Sequence, residues 1–165
     1  MTENTFSGKR IVITRPRSQS KEWQRAIEER GALCVVIPLI DIAQPDDEGF
    51  AFEQAMRNLS EYEWVMCTSV NGASRVAPYL PLRASSPKLA AIGHATSKAF
   101  RREVDFVPGK AIGAAFAEEF PMSAGKILVV QAQETNGDVV RILQDRGMRV
   151  DVVAAYKTVH CLLTD

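Results

Sequence analysis

The sequence predicts an α/β fold built on parallel strands, and three observations carry that expectation. Short apolar or β-branched runs alternate with stretches of helical periodicity along most of the chain. Glycines such as Gly31 and Gly147 stand where helices should stop. Several strands then run out into small polar corners, and Trp64–Cys67 followed by Thr68-Ser69-Val70-Asn71-Gly72 is the clearest of them. In an open parallel sheet, ligands bind at the carboxyl end of a strand, where the next helix offers free N–H groups to an anion.

Lys9–Thr14 is β-branched and gives the first strand. A helix is expected from about Ser18 to Arg30, with Ser18 or Ser20 as its cap. Trp23, Ala26, Ile27 and Arg30 fall at i, i+3, i+4 and i+7, so one stripe should pack on a sheet. Gly31 ends this helix, and Ala32–Ile40, interrupted by Pro38, gives a second strand. The β-α-β unit implies parallel strands and a right-handed crossover. Asp41–Gly49 is acidic, contains Pro45 and Gly49, and reads as a linker at a domain boundary.

Phe50–Leu59 is helical, with Phe52, Ala55, Met56 and Leu59 on one face. After Trp64–Cys67 and its corner, a helix covers about Asn71–Tyr79, and Pro78, Pro81 and Pro87 bracket a loop. Lys88–Ile92 is a strand that ends in a second corner, Gly93-His94-Ala95-Thr96, and a helix runs on to about Arg102. Val104–Val107 is expected as a short edge strand ended by Pro108. Ile112–Phe120 is a helix, with Ile112, Ala115, Phe116 and Glu119 in register. Lys126–Val130 is a strand, Gln131–Asn136 a third polar corner, Asp138–Arg146 a helix and Arg149–Ala155 the last strand. Tyr156–Asp165 reads as extended. Arg30–Val36 weakly repeats in Arg146–Val152, since both are helix stops feeding a strand.

Twenty basic residues balance twenty acidic ones among 165, so no basic field recruits nucleic acid. No apolar run reaches bilayer-spanning length, and Met1–Gly8 lacks a signal-peptide core. Cys34, Cys67 and Cys161 lack the paired spacing of a zinc site or disulfide framework, which makes a reducing cytoplasm the expectation.

Five short motifs occur in order: Ile13-Thr14-Arg15-Pro16, Pro38-Leu39-Ile40, Thr68-Ser69-Val70-Asn71-Gly72, Ala91-Ile92-Gly93-His94-Ala95-Thr96 and Tyr156-Lys157-Thr158. In this order and spacing the chain resembles the uroporphyrinogen-III synthase family, from about Lys9 to Val159. The resemblance implies flavodoxin-like α/β domains joined by linker strands, the first domain being discontinuous. Residues 1–42 would begin that domain, 43–155 would form a complete inserted domain, and 156–165 would lead back as a return linker. The family adds further strands and helices beyond this point, and the chain ends at Asp165, so the first domain is expected to be partial. One local departure is Gln131-Ala132-Gln133, where the family often carries Arg-Gly.

The resemblance also implies a chemistry. The family cyclises hydroxymethylbilane, an anionic linear tetrapyrrole, to uroporphyrinogen III with inversion of ring D and loss of water. It uses no cofactor, and positioning supplies much of the acceleration. Thr68, Ser69, Asn71 and Gly72 are the expected holders of substrate carboxylates. The structural alternative is that Thr68 or Ser69 caps the helix and Gly72 allows close packing. Gly93 and Thr96 are the candidates at the second corner, with a helix-cap hydroxyl as the alternative for Thr96. Tyr156 matches the family tyrosine proposed to assist departure of the hydroxyl, its alternative being a packed linker aromatic. Arg15 can meet a carboxylate or simply be solvated.

Several residues are set aside. His94 and His160 lack a triad or metal constellation, and Cys67 reads as a small buried residue. Asp46, Asp47, Glu48, Glu53, Glu61 and Glu63 read as solvated surface. A non-catalytic module remains a competing reading, because Thr68–Gly72 is also similar to the phosphate loop of FMN-binding flavodoxins. Against it, Trp23 and Trp64 lie on a helix face and inside a strand, leaving no pair to stack on a flavin. A further alternative is an inactive truncated synthase, and a further expectation is self-association through the incomplete first domain.

Overall fold

The structure is a computed structural model that describes residues 5–81, 87–123 and 125–161. The chain forms two compact units, Met1–Ala43 with Thr158–Asp165, and Gln44–Lys157.

The first unit opens with β1 (Arg10–Ile13), a 3-10 turn at Arg17–Gln19, α1 (Lys21–Glu28), β2 (Leu33–Val36) and β3 (Ile40–Ala43). β1 and β2 pair in parallel, Ile11 opposite Cys34 and Val12 opposite Val35, as a β-α-β unit requires. The single strand expected over Ala32–Ile40 is instead two. Pro38 separates β2 from β3, and the strand continues into Ala43, within the stretch read as linker.

The apolar stripe on α1 does not pack as expected. No residue of α1 is buried, and Trp23 is 55% exposed, its ring 5.2 Å from the Arg15 guanidinium. A two-stranded sheet offers too little apolar surface to cover such a helix. Ser20 occupies the N-cap position but does not cap, because its Oγ donates to the Pro16 carbonyl at 2.9 Å.

The second unit runs α2 (Phe50–Arg57), a 3-10 turn at Leu59–Glu61, β4 (Trp64–Cys67), α3 (Val70–Val76), a 3-10 turn at Ala77–Tyr79, β5 (Lys88–Ala91), α4 (His94–Ala99), α5 (Gly113–Glu119), β6 (Lys126–Ala132), α6 (Asp138–Asp145) and β7 (Arg149–His160). β7 passes from this unit into the first, where it lies beside β3 and the Cys161 N–H donates to the Leu39 carbonyl at 2.9 Å. Part of the loop expected between Pro78 and Pro87, and the end of the extended stretch after Tyr156, lie outside the described residues.

Within the second unit the strands stand in the order β5-β4-β6-β7, all parallel. Counted along the unit this is 2-1-3-4, the flavodoxin-like order. β4 is central and buried throughout, which is why Trp64–Cys67 is a continuous apolar run rather than an alternating one. Trp64, Met66, Ile127 and Val129 face Phe116, Phe120 and Leu143 of α5, α6 and the residue that follows α5. Phe52, Ala55 and Met56 of α2 and Ala73 and Val76 of α3 are buried in turn.

Three boundaries differ from expectation. Val104–Val107 is not a strand, since only Phe106 bridges Ala90. The Asp105 carboxylate takes the Leu89 N–H at 2.8 Å and so occupies a position in the ladder that a backbone carbonyl would fill. β6 extends through Gln131 and Ala132, so the third corner begins later than expected. β7 continues past Ala155 to His160, which puts Tyr156 inside a strand.

Candidate functional site

In the second unit the chain leaves β4 for β5 on one side and returns to place β6 on the other. The carboxyl ends of β4 and β6 therefore flank the topological switch point, where an open α/β sheet binds its ligand. A cleft of about 430 Å³ lies there. Thr68 from the end of β4, Gln131 from β6, Ile92 after β5, Ile112–Ala114 at the start of α5 and Thr135–Val139 at the start of α6 line it. That volume is within the usual range for small-molecule pockets. The lining mixes apolar side chains with hydroxyl, amide and backbone groups, and it contains no Lys, Arg or aromatic residue.

The corner after β4 is built by a cap. Ser69 is extended, and its Oγ accepts the Gly72 N–H at 3.1 Å, which starts α3. Gly72 is buried, and a Cβ there would stand 3.4 Å from the Val130 carbonyl. Both structural roles foreseen for this corner are thus in place. Thr68 is the member of the set that lines the cleft, and Asn71 is half-buried on α3, outside that lining.

At the second corner, Gly93 is the N-cap of α4 in extended geometry, and its Cα lies against Ala111. Thr96 is 3% exposed, so its side chain is covered by the fold. Tyr156 is 7% exposed and pairs across the ladder with Ala132, next to Gln131 of the cleft. Arg15 belongs to the other unit, is exposed, and donates to Gln19 Oε1 at 3.2 Å.

The third corner supplies much of the cleft, though no residue there was singled out from sequence. Thr135 Oγ1 accepts the Gly137 N–H at 3.3 Å, and Asn136 Oδ1 accepts the Asp138 N–H at 3.3 Å. Gly137 takes a left-handed φ of 72° to feed α6. The available signal was the run Thr135-Asn136-Gly137-Asp138, a turn followed by a helix start. Asp138 satisfies the helix dipole and pairs with Arg141 at 3.3 Å. Its charge opposes an incoming carboxylate, so the Thr68 side of the cleft is the better anion host.

Most of the acids read as solvated surface are exposed, and several of them also make hydrogen bonds. Asp46 Oδ1 meets Lys157 Nζ at 2.6 Å, and Asp46 exchanges two hydrogen bonds with Gln133 at 2.8 and 2.6 Å. The Lys157 bond, then the Gln133 bond, hold the Asp46 carboxyl below its ordinary range. Asp47 accepts the N–H groups of Gly49 and Ala51 at 2.9 Å and so caps α2 from two residues upstream. Cys67 is fully buried, and burial pushes its thiol up, away from nucleophilic use. Among the described residues, no cluster of His, Cys, Asp and Glu could hold a metal ion, and no helix is long and apolar enough to cross a membrane.

These features define a doubly wound α/β protein with a switch-point cleft. A family model described as "Uroporphyrinogen-III synthase HemD" matches residues 21–162, and the chain belongs to this family. It is 28% identical over 165 residues to the "Porphyrin biosynthesis protein HemD" of Ruminiclostridium josui, covering 92% of this chain and 32% of that protein. It is 25% identical over 169 residues to the uroporphyrinogen-III synthase of Synechococcus elongatus, covering 96% and 64% respectively. The chain thus spans less than two thirds of these relatives. The fold is similar to that of a mutant uroporphyrinogen III synthase from Thermus thermophilus, with a TM-score of 0.65, 14% identity, and coverage of 93% of this chain and 64% of that one. The wild-type form aligns with a TM-score of 0.59 and 15% identity.

Proposed function

We propose that this chain carries one wall of a uroporphyrinogen-III synthase active cleft. The reaction is cyclisation of hydroxymethylbilane to uroporphyrinogen III, with inversion of ring D and loss of water. The family match over residues 21–162 carries this reading, and the switch-point cleft supports it. Thr68, Asn71 and the backbone around Ser69 and Gly72 hold substrate carboxylates, and Gly93 and Thr96 shape the second corner, the Thr96 side chain being covered by the fold. Arg15 is a separate candidate carboxylate contact, on the first unit. Tyr156 assists departure of the hydroxyl by supplying a proton, directly or through water. No residue of the cleft lining is aromatic, and Trp64 is buried against Phe120, so nothing there favours a flavin-binding module.

Residues 43–155 as one inserted domain, and a cytoplasmic location, belong to the same proposal. Cys34, Cys67 and Cys161 as free thiols support the reducing compartment. Self-association is supported by exposed Val12, Trp23 and Leu33 on the first unit, and a strict monomer in sedimentation would exclude it.

The test supplies freshly generated hydroxymethylbilane to the chain. The expected result is a higher fraction of type III product than the spontaneous type I background. Type I alone would refute the synthase reading for this chain. Tyr156→Phe is expected to lower the type III yield, and an unchanged yield would return Tyr156 to a packing role.

A further inference from the structure

We propose that Arg75 is a positioning residue for Tyr156, acting through a bulge in β7. The inference rests on the reading of Tyr156 as the group that assists loss of the hydroxyl. Along the β6–β7 ladder Gln131 pairs with Ala154, and the next residue, Ala132, pairs with Tyr156. Ala155 is therefore the extra residue.

Arg75 on α3 holds this irregularity. Its Nη1 donates to the Ala155 carbonyl, and its Nη2 donates to Gln44 Oε1 at 2.8 Å. On the other side, the Tyr156 carbonyl accepts the Gln133 N–H at 2.7 Å. Gln133 is itself anchored to Asp46 through its side chain. Both peptide planes flanking Tyr156 are thus held. Fixing them fixes φ and ψ at Tyr156, and with them the direction in which its side chain leaves the backbone. The guanidinium fork serves two acceptors at once, which a lysine ammonium on a flexible stem would not do with the same geometry.

The experiment uses the full 165-residue chain with fluorotyrosine incorporated, read by fluorine NMR beside the type III assay. Loss of one signal in Tyr156→Phe identifies the Tyr156 resonance. Arg75→Gln is expected to shift or broaden that resonance while the far-UV circular dichroism stays that of a folded chain. Turnover is expected to fall by about tenfold or more with KM little changed, as for a misplaced catalytic group. Arg75→Lys is expected to recover turnover only in part. In Arg75→Gln/Tyr156→Phe the two losses are expected not to add, because both remove one function. An unmoved resonance in a folded Arg75→Gln chain overturns the proposal, as do fully additive losses. Should Arg75→Gln fail to fold, Arg75→Lys is judged on the same resonance, and no change there overturns the proposal. If the unaltered chain forms only type I product, the synthase reading falls while the resonance still decides the role of Arg75.

Discussion

The Tyr62 hydroxyl donates to the Asp151 carboxylate at 2.8 Å, joining the turn before β4 to the start of β7. Lys126 Nζ meets the same carboxylate at 2.7 Å and stands 5.3 Å from the Tyr62 ring centroid. Burial, then the bond to Asp151, pushes the Tyr62 phenol up to about 12. The Lys126 hydrogen bond holds the Asp151 carboxyl below its ordinary range, with a smaller contribution from Tyr62. A raised phenol pKa supports the native state below the ordinary tyrosine value of about 10, and that support fades as the pH rises to about 12. A lowered carboxyl pKa supports it above about pH 4, and that support is lost as the pH falls through the folded value. Tyr62→Phe is therefore expected to cost about 1–2 kcal/mol at neutral pH in urea unfolding. It should also flatten the alkaline decline in stability, and an unaltered alkaline slope would exclude the phenol as its source.

Glu63 clasps the segment ahead of β6. Its Oε2 accepts the Ser123 hydroxyl at 2.7 Å and the Gly125 N–H at 2.9 Å. A Cβ built on Gly125 would overlap both the carboxylate and the Cβ of Glu63, so Gly125→Ala must expel the carboxylate and push the two backbones apart. The expected cost is about 1–3 kcal/mol, seen as a melting temperature several degrees lower. Glu63→Gly combined with Gly125→Ala should be no worse than Glu63→Gly alone, because both the carboxylate and the Glu63 Cβ that cause the overlap are gone. The Ser123 bond, then the Gly125 bond, lowers the Glu63 carboxyl pKa. The clasp should hold at neutral pH and weaken as acid drives the pH through that lowered value.

Ser69 separates a cap from a ligand contact. Ser69→Ala removes the acceptor for the Gly72 N–H and is expected to cost about 1 kcal/mol. Ser69→Asp keeps an acceptor, so its melting temperature should stay near that of the unaltered chain. Its negative charge should raise KM for a polyanionic tetrapyrrole. Equal KM in Ser69→Asp and the unaltered chain would make Ser69 a cap and nothing more.

What could be read from the sequence follows from how local each cause is. β4 was legible because both its faces are buried and the run is contiguous. Gly31 and Gly147 were legible as helix stops because they take left-handed φ values of 88° and 81°. The roles of Asp46 and Glu63 were not, because Lys157 and Gly125 lie 111 and 62 residues away. The bulge at Ala155 was equally hidden, since it arises from the register against β6. In the cleft, strand-end logic found Thr68, while Ile112–Ala114 joins Ile92, Gln131 and Thr135 in one lining only through the fold, at positions distant in sequence. The stripe on α1 had the right period, but period alone does not supply a surface to pack on.

Gly93 and Ala111 give the sharpest test of that wall. Gly93 has an extended φ of −175°, which any residue can adopt, so the backbone does not demand glycine. The neighbour does, because a Cβ at Gly93 would lie 2.9 Å from the Ala111 Cβ. Gly93→Ala must push the Ala111 segment outward, and Ile112 of the cleft lining with it. The expected cost is about 1–3 kcal/mol in chemical unfolding, with a lower type III fraction. Ala111→Gly in the same chain removes the obstructing methyl and should restore most of the stability, less the cost of a second flexible glycine, about 0.5–1 kcal/mol. Additive destabilisation in the double variant would refute the steric account. If stability returns and the type III fraction returns with it, Gly93 serves by admitting Ala111. If stability returns while the type III fraction stays low, the added methyl blocks substrate at Gly93 itself, and the second corner joins the first as a ligand contact.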